Sequence, residues 1–356
     1  MLGVKLKLTK AILLVGGEGT RLRPLTLNQP KPMLPVAGLP ITAHQIAKLV
    51  SVGVNEVVLA TSYQAAVFSK WLATQDYLDA NISVVVEENP LGTGGAIRNA
   101  ADYLNLDEDE SVVVLNGDVL SGHNLANQIT QFKSSGWSAS IHLVTVTNPA
   151  AFGLVPTDKD ARVLAFLEKP TSPEQIITNQ INAGCYLLSN QVIRQIAPGT
   201  PCSVERDVFP KLLQSNFAIA GYLDDSYFLD LGTPYSYIQG SADLVQQNVY
   251  SPLIEFKQEA LIHPDAKVAE GAVVYGGSVV AAGAEVGKDA VISGSVLENN
   301  SKVGDGVQLF DSYLGKNSRI ENQLSLTRVV IGDDCLIKVE IPPGVRVWPN
   351  VTLVIE

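Results

Sequence analysis

The last third of the chain contains a six-residue repeat, which restricts the possible folds more than any other sequence feature. From position 262 an aliphatic residue recurs at every sixth position, and a small residue follows each of the first five by four positions. The aliphatic series is Ile262, Val268, Val274, Val280, Val286 and Ile292, and the small series is Ala266, Ala272, Ser278, Ala284 and Ala290. Side chains of helices and ordinary strands repeat every 3.6 and 2 residues, so neither explains this period. The repeat predicts a left-handed parallel β-helix made of hexapeptides.

The repeat is imperfect. Its register slips after Ile292 and resumes loosely at Val303, Leu309 and Ile331. We therefore expect a short solenoid domain over residues 249–356, with apolar edges and a final segment that are capped or buried against another subunit. A homo-oligomer formed through this domain is the expected consequence.

Residues 1–248 show a different pattern, in which apolar strands alternate with amphipathic helices. Strands are predicted at 11–15, 56–60, 82–86 and 111–115, and helices at 41–52, 65–72, from residue 92, 203–214 and 234–246. Further strands, at 140–147, 163–168 and 180–188, predict an inserted sheet beside a cleft. This alternation is typical of a parallel sheet covered on both faces, so we predict a doubly wound, Rossmann-like α/β domain. Ligands of such sheets bind beyond the carboxyl ends of the strands.

A glycine-rich loop, GGEGTR at residues 16–21, follows the first predicted strand directly. Its glycines allow the backbone to turn sharply and approach a ligand closely. Arg21 and Lys31 add positive charge, and no Asp or Glu occurs between residues 19 and 55, although the chain has 36 acidic and 25 basic side chains. Bare amides beside fixed cations favour phosphate binding. The spacing fits neither the GxxxxGK phosphate loop nor the GxGxxG dinucleotide fingerprint.

Composition excludes several classes of function. A net charge of -11 argues against nucleic acid or an anionic membrane as the main partner. Three scattered cysteines and four histidines indicate neither a disulfide framework nor a zinc site, and a cytoplasmic location is expected. No segment approaches the roughly 18 apolar residues of a membrane span.

The longer stretch LLVGGEGTRLRPLTLNQPKPMLPVAGLP, residues 13–40, resembles the signature of the sugar-nucleotide pyrophosphorylases. These nucleotidyltransferases join a nucleoside triphosphate to a sugar 1-phosphate. The match is most similar to the mannose-1-phosphate guanylyltransferase branch, and it continues through SVERDVFPK and LDLGTPYSY over nearly all of the first 245 residues. The resemblance implies a Mg²⁺-dependent in-line displacement in which GTP and mannose 1-phosphate give GDP-mannose and pyrophosphate.

The resemblance also implies which residues bind the nucleotide and the metal. The implied nucleotide contacts are Val15, Gly16, Gly17, Gly19, Thr20, Arg21, Glu87, Gly92 and Thr93. Arg21 would steady the departing pyrophosphate and the α-phosphate, and Lys31 would contact the phosphates. Asp118 and Asp230, each directly after an apolar run, would hold Mg²⁺. An aspartate at a strand end is more often a cap, so their role as metal ligands depends on the resemblance.

The sugar phosphate would be bound by a second set of residues that match the family. These are Gly153, Glu168, Lys169, Asn182 and Gly184. Lys169 would hold the 1-phosphate and Glu168 would accept hydrogen bonds from sugar hydroxyls. Mannose and glucose 1-phosphates differ at one hydroxyl, and both sugars stay open at this point.

The choice of base depends on the segment EENPLGTGG. Glu87 lies five residues before Gly92, where relatives that use uridine or thymidine nucleotides have glutamine. Guanine presents two adjacent donors, N1–H and N2–H₂, which one carboxylate can accept together. This favours GTP, with either Glu87 or Glu88 as the carboxylate that contacts the base.

Three alternatives remain at this point. One is a thymidylyl-, uridylyl- or adenylyltransferase acting on glucose 1-phosphate. Another is a non-catalytic regulatory paralogue, which should have lost a metal ligand or a phosphate cation, whereas this chain keeps them all. The third is a bifunctional enzyme with acyltransferase activity, but the repeat region offers only His263, at its start, as a catalytic histidine.

Overall fold

A computed structural model of the chain describes residues 8–76, 78–168, 170 and 172–354. The chain forms two compact units. The first unit comprises Met1–Gly17 and Gln45–Phe228, and the second comprises Glu18–His44 and Leu229–Glu356. Most of the glycine-loop signature therefore belongs to the same unit as the repeats. The division of the sequence at residue 248 stays a prediction.

Strands and helices alternate up to residue 245. The strands are β1 (Lys10–Leu14), β2 (Pro35–Val36), β3 (Leu39–Pro40), β4 (Glu56–Thr61), β5 (Asn81–Val86), β6 (Ser111–Asn116), β7 (Val119–Ser121), β8 (Ala139–Thr145), β9 (Gly153–Leu154), β10 (Leu167–Glu168), β11 (Gln180–Ser189), β12 (Ile219–Leu223) and β13 (Phe228–Asp230). The helices are α1 (Ile41–Ser51), α2 (Ala65–Leu72), α3 (Gly92–Leu104), α4 (Leu125–Ser135), α5 (Asn190–Ile193), α6 (Phe209–Gln214) and α7 (Pro234–Val245). A π-helical turn, Val204–Val208, leads into α6. Among the described residues, no helix combines the length and the apolar character that crossing a bilayer requires.

A sheet of nine strands forms the centre of the first unit. Strands β6, β1, β4 and β5 are parallel neighbours, and Ile12 of β1 lies between Val58 and Val114 with all three side chains buried. Helix α3 packs on β1 and β4. Central strands that are apolar throughout, with helices between them, confirm the predicted Rossmann-like α/β domain.

The strands expected to form an inserted sheet instead extend this central sheet. Strand β11 pairs antiparallel with β6, and β8 and β9 pair in turn with β11. The strand predicted at 163–168 is shorter than expected. Only Leu167–Glu168 pairs with β9, because Val163 donates its N–H to Ile219 and makes no more than an isolated bridge to Thr157.

The repeat region forms three parallel sheets, as expected for a left-handed β-helix. Its strands are β14 (Ala260–Ile262), β15 (Lys267–Val268), β16 (Val273–Tyr275), β17 (Ser278–Val280), β18 (Glu285–Val286), β19 (Val291–Ser293), β20 (Val296–Leu297), β21 (Lys302–Val303), β22 (Gln308–Phe310), β23 (Tyr313–Leu314), β24 (Arg319–Ile320), β25 (Ser325–Thr327), β26 (Val330–Ile331), β27 (Leu336–Ile337), β28 (Arg346–Val347) and β29 (Thr352–Leu353). Each strand except the last of its sheet pairs with the strand one coil further along, and the aliphatic side chains stack in a buried core.

The slip in the repeat has a structural cause. Ile262 pairs with Val280, 18 positions later, whereas Val280 pairs with Leu297, 17 positions later. The next coils are therefore a residue shorter at one corner, and Leu297 follows Ile292 by five positions. Leu297 therefore occupies the buried core position, one residue earlier than the strict six-residue period predicts.

Small residues at this corner form a hydrogen-bonded ladder. Ser278, Ser295 and Ser312 are buried, and each hydroxyl oxygen accepts a backbone N–H from the next coil. The donor–acceptor distances are 3.2 Å for Ser295, 3.1 Å for Ser312 and 3.0 Å for Val329. The serines thus satisfy corner amides that the sheets leave unpaired.

Candidate active site

The first unit places Asp118 beside the start of the glycine loop. Strand β6 runs next to β1, and the Gly117 N–H donates to the Leu14 carbonyl at 2.9 Å. A Cβ on Gly117 would lie 2.6 Å from that oxygen, so only glycine allows this approach. Gly17 has a φ of 114°, and both it and Gly16 are exposed. Asp118 therefore follows a strand whose end is held against the strand leading into the loop.

The second unit holds the rest of the loop in a compact turn. Gly19 has a φ of 60°, and the Thr26 hydroxyl donates to its carbonyl at 2.9 Å. A Cβ on Gly19 would lie 2.9 Å from Cβ of Lys31, so the turn packs directly on this lysine. The next residues, Thr20–Leu22, form a single 3₁₀ turn that presents Arg21 to solvent.

Two predicted phosphate-binding cations and one predicted metal ligand lie together in the second unit. The Lys31 ammonium is 3.5 Å from Oδ1 of Asp230, and the Arg21 guanidinium is 3.9 Å from Oδ2. A Cβ on Gly232 would lie 2.9 Å from both Arg21 and Asp230, so glycine leaves space for the pair. The Lys31 side chain is 8% exposed and that of Arg21 is 71% exposed. Lys31 is thus a fixed charge, whereas Arg21 can reach a ligand.

The donor set fits a metal ion that is only partly bound by protein. Among the residues that the structure describes, no group of three or more His, Cys, Asp or Glu side chains could hold a metal. Mg²⁺ is commonly bound by one or two carboxylates and completes its octahedron with phosphate oxygens and water. Asp118, in the first unit, and Asp230, in the second, each carry the hard carboxylate oxygens that such an ion prefers, and their shared role as its ligands stays a prediction.

Glu87 and Glu88 differ in their environments. Glu87 is 8% exposed, whereas Glu88 is exposed to solvent. Oε2 of Glu87 accepts the Leu91 N–H at 2.8 Å, and Oε1 has no partner among the described residues. Burial raises the pKa of Glu87. The inward carboxylate therefore has one oxygen in the turn before α3 and one oxygen available to a ligand.

The start of α3 packs tightly against the segment that contains Cys202. Gly92 has a φ of 67°, and a Cβ there would lie 2.6 Å from the Cys202 carbonyl. The Thr93 hydroxyl donates to Glu205 and accepts the Val204 N–H, both at 2.9 Å. Thr93 stays a predicted nucleotide contact, and in the structure its hydroxyl joins α3 to the 202–205 segment.

A further glycine of α3, Gly94, also lies against Cys202. A Cβ on Gly94 would lie 2.7 Å from Sγ of Cys202 and 3.1 Å from Val208. The Gly94 N–H donates to the Cys202 carbonyl at 2.9 Å. The glycine therefore accommodates the cysteine sulfur, which the sequence alone did not indicate.

A cavity of about 750 Å³ in the first unit is lined both by a residue predicted to contact the sugar and by residues predicted to contact the nucleotide. Gly92, Thr93 and Glu168 line it together with residues of the 201–207 segment. In the β9–β10 pair Gly153 lies opposite Glu168, where a Cβ would come within 2.6 Å of the carboxylate. Gly153 thus leaves room for the Glu168 side chain.

The sugar-side residues of β11 belong to a buried network that the sequence did not predict. Asn182 donates to the Tyr186 hydroxyl at 2.8 Å, and this hydroxyl donates to Glu205 at 3.3 Å. Burial and the Glu205 charge raise the pKa of Tyr186 well above its usual value, which keeps it a donor. Gly184, with a φ of 72°, lies at a β-bulge against Asn116. Glu205 could have been suspected from SVERD, whereas nothing marked Tyr186.

The remaining predicted residues have simpler outcomes. Val15 is fully buried at the end of β1, where its N–H donates to Ala60 at 3.0 Å, and Thr20 is exposed on the loop. Lys169 lies outside the described residues, so its predicted contact with the 1-phosphate stays a prediction.

Comparison with known proteins gives matches over both parts of the chain. Residues 10–247 match the nucleotidyl transferase family, and residues 256–353 match the GMPPB C-terminal domain. The mannose-1-phosphate guanylyltransferase of Mycobacterium tuberculosis (strain ATCC 25618 / H37Rv) is 48% identical over 279 residues, which are 78% of this chain and 76% of that protein. The probable mannose-1-phosphate guanylyltransferase 1 of Oryza sativa subsp. japonica is 37% identical over 282 residues, covering 79% of this chain and 75% of the relative.

Solved structures also match. The crystal structure of HddC from Yersinia pseudotuberculosis complexed with GMP-PN is 29% identical and has a TM-score of 0.54. The match covers 65% of this chain and 97% of that one.

Proposed function

This chain belongs to the nucleotidyl transferase family, and on that basis we propose that it is a mannose-1-phosphate guanylyltransferase. It transfers the guanylyl group of GTP to mannose 1-phosphate and releases pyrophosphate. The observation that supports this most strongly is the cluster in which Arg21 and Lys31 face Asp230. Guanylyl transfer gathers several phosphate charges at one place, and cations fixed on a glycine-rich turn can neutralise them.

The reaction is a single in-line displacement. A phosphate oxygen of mannose 1-phosphate attacks the α-phosphorus of GTP, a new P–O bond forms, and the bond to the β-phosphate oxygen breaks. Pyrophosphate leaves with the electron pair of that bond. Arg21 stabilises the charge that develops on the departing group, and buried Lys31 holds the phosphates in position. No covalent intermediate with the protein is needed.

Nucleotidyltransferases of this family generally use a divalent metal, and we propose Mg²⁺ for this chain, with Asp118 and Asp230 as its protein ligands. A bound Mg²⁺ would supply additional charge neutralisation at the phosphates. The support is the hard-oxygen chemistry of the two carboxylates and their match to the family motifs. Lys31 and Arg21 lie 3.5 Å and 3.9 Å from the Asp230 carboxylate oxygens.

Glu87 is the proposed contact for guanine. Its burial and the exposure of Glu88 support Glu87 as the carboxylate that faces the base. Oε1 of Glu87 can accept a guanine N–H directly. Oε2 already accepts the Leu91 N–H and has a second lone pair for the neighbouring donor. Uracil and thymine offer only one ring N–H between two carbonyls, which a carboxylate repels.

The sugar phosphate is proposed to bind at Glu168, Asn182 and Lys169. Glu168 lines the cavity near α3, which supports a role with sugar hydroxyls. Asn182 is oriented by Tyr186 and by the Gly184 N–H, which donates to its side-chain oxygen at 3.0 Å. Mannose is proposed rather than glucose because the similar proteins are named mannose-1-phosphate guanylyltransferases.

A homo-oligomer formed through the β-helix is the further part of this proposal. Ile262 and Val268 pair with Val280 and Val286 of the next coil, and the side chains of Val280 and Val286 are buried. In the first coil these side chains are 42% and 37% exposed, so the apolar core is uncovered at this end. A second copy of the chain could cover it. A cytoplasmic location and the absence of nucleic-acid partners stay predictions.

A substrate matrix tests the proposed activity. Purified protein with Mg²⁺ would be assayed with GTP, ATP, UTP and dTTP, each against mannose 1-phosphate and glucose 1-phosphate, with pyrophosphate release followed over time. The expected result is the highest kcat/KM for GTP with mannose 1-phosphate. Turnover of UTP or dTTP with no product from GTP would overturn the base assignment, and a preference for glucose 1-phosphate would overturn the sugar assignment.

A further inference from the structure

An arginine of the β-helix holds the backbone of the glycine-loop signature. Nη1 of Arg346, in strand β28, donates to the carbonyl oxygens of Arg21 at 2.8 Å and Arg23 at 2.9 Å. One guanidinium nitrogen has two N–H groups, so it can serve both carbonyls at once. The contact links residues more than 320 positions apart within the second unit.

The backbone hydrogen bonds of the segment that Arg346 holds are otherwise local among the described residues. They run from Leu22 to Gly19, from Arg23 to Thr20 and from Leu25 to Leu22. Such a short 3₁₀ turn is only weakly stable by itself. Arg346 bonds the two carbonyls that flank Leu22, which is the buried anchor of the turn. It therefore fixes the backbone from which the Arg21 side chain projects.

We propose that Arg346 is a positioning residue for Arg21, so that the last part of the β-helix contributes to guanylyl transfer by ordering the phosphate-binding turn. The inference rests on the proposed function. Arg21 is 71% exposed and its guanidinium is 3.9 Å from Asp230, so little besides the backbone fixes its position. A turn that is ordered in only part of the molecules lowers the observed kcat/KM in proportion.

A matched control is available on the neighbouring coil. Arg328 lines the same cavity of about 430 Å³ as Arg346, and its guanidinium lies 5.7 Å from the ring centroid of Tyr235. Its side chain makes no hydrogen bond to the signature turn among the described residues. Replacing either arginine by glutamine removes one positive charge from the same cavity, but only Arg346→Gln removes the two arginine hydrogen bonds to the carbonyls of Arg21 and Arg23.

The first measurement is hydrogen exchange by mass spectrometry on the full-length protein. The amides of residues 19–25 should exchange faster in Arg346→Gln than in the wild type, and at the wild-type rate in Arg328→Gln. The second measurement is steady-state kinetics. Arg346→Gln should lower kcat/KM for GTP about tenfold, the order expected for losing two hydrogen bonds from an exposed charged donor.

If Arg346 only positions Arg21, Arg346→Gln should leave the KM for mannose 1-phosphate within about twofold and the melting temperature within about 2 °C of the wild type, because few other contacts are lost. A role in stabilising the fold as a whole would instead lower the melting temperature. Unchanged exchange in residues 19–25, faster exchange with unchanged kcat/KM, or an equal effect of Arg328→Gln would each overturn the proposal. If the wild type is inactive with every substrate pair, the proposed function fails, and the exchange experiment still decides whether Arg346 orders the turn.

Discussion

Replacing Glu87 by glutamine tests how this chain selects its base. The side chain is 8% exposed, its Oε2 accepts the Leu91 N–H at 2.8 Å, and its Oε1 has no partner among the described residues. Glutamine has the same shape, and its carbonyl oxygen can keep the bond to Leu91. The amide –NH₂ then replaces Oε1, so the group facing the base changes from an acceptor to a donor.

The size of the effect follows from this exchange. A guanine N–H that faces a donor is left without a partner, which costs about 1–3 kcal/mol, or roughly tenfold to a hundredfold in kcat/KM for GTP. The same –NH₂ can donate to a carbonyl of uracil or thymine, so the penalty against UTP and dTTP should shrink. Fold stability should change by less than about 1 kcal/mol, because a weaker bond to Leu91 is offset by removing a buried charge.

The assay compares kcat/KM for GTP, UTP and dTTP with mannose 1-phosphate in three proteins. These are the wild type, Glu87→Gln and Glu88→Gln, which makes the same charge change at an exposed neighbour. We expect the ratio of GTP to UTP to fall only in Glu87→Gln, with a smaller change in kcat. A wild-type ratio in Glu87→Gln, or an equal fall in Glu88→Gln, would refute the reasoning.

Three further predictions follow from the structure. Asp230→Asn should lower kcat by at least about a hundredfold with every nucleotide and leave the circular dichroism spectrum unchanged, since it removes the charge that faces two cations and the proposed metal. Burial lowers the pKa of His44 and His142 to about 4 and that of His123 further still, so the unfolded chain binds more protons, and the free energy of unfolding measured with urea should fall by about 2 kcal/mol per histidine, about 6 kcal/mol in all, from pH 7 to pH 5. A pH-independent value would contradict this. Gly94→Ala should destabilise the fold, because its Cβ would lie 2.7 Å from the Cys202 sulfur, and adding Cys202→Ala should restore the melting temperature.

The fold was largely predictable because its patterns are periodic. The apolar strand at Ile12 and the six-residue spacing from Ile262 each have a single structural explanation, and both were confirmed. The shorter coils after Ile292 were not predicted, because a one-residue deletion at a corner removes the period without changing the stacking. The continuity of β11 with β6 was also missed, since pairing between strands distant in sequence leaves no local pattern.

Residues of the candidate site could be predicted only where a motif named them, and their roles stay predictions. The proximity of Arg21, Lys31 and Asp230 agrees with their shared motif roles. Tyr186 and Arg346 were not predicted, because a buried tyrosine in a strand and an exposed arginine in a solenoid are ordinary at the sequence level. Their contacts depend on residues brought together only by the tertiary fold.

The central claim is that a strongly acidic chain gathers bare amides and cations at one loop in order to hold nucleotide phosphates. A crystal structure with bound GDP-mannose and Mg²⁺ tests it most directly. We expect the diphosphate to lie against the amides of residues 16–20 and the Arg21 guanidinium, with guanine hydrogen-bonded to Glu87. A nucleotide bound elsewhere, or bound with its base away from Glu87, would contradict the account.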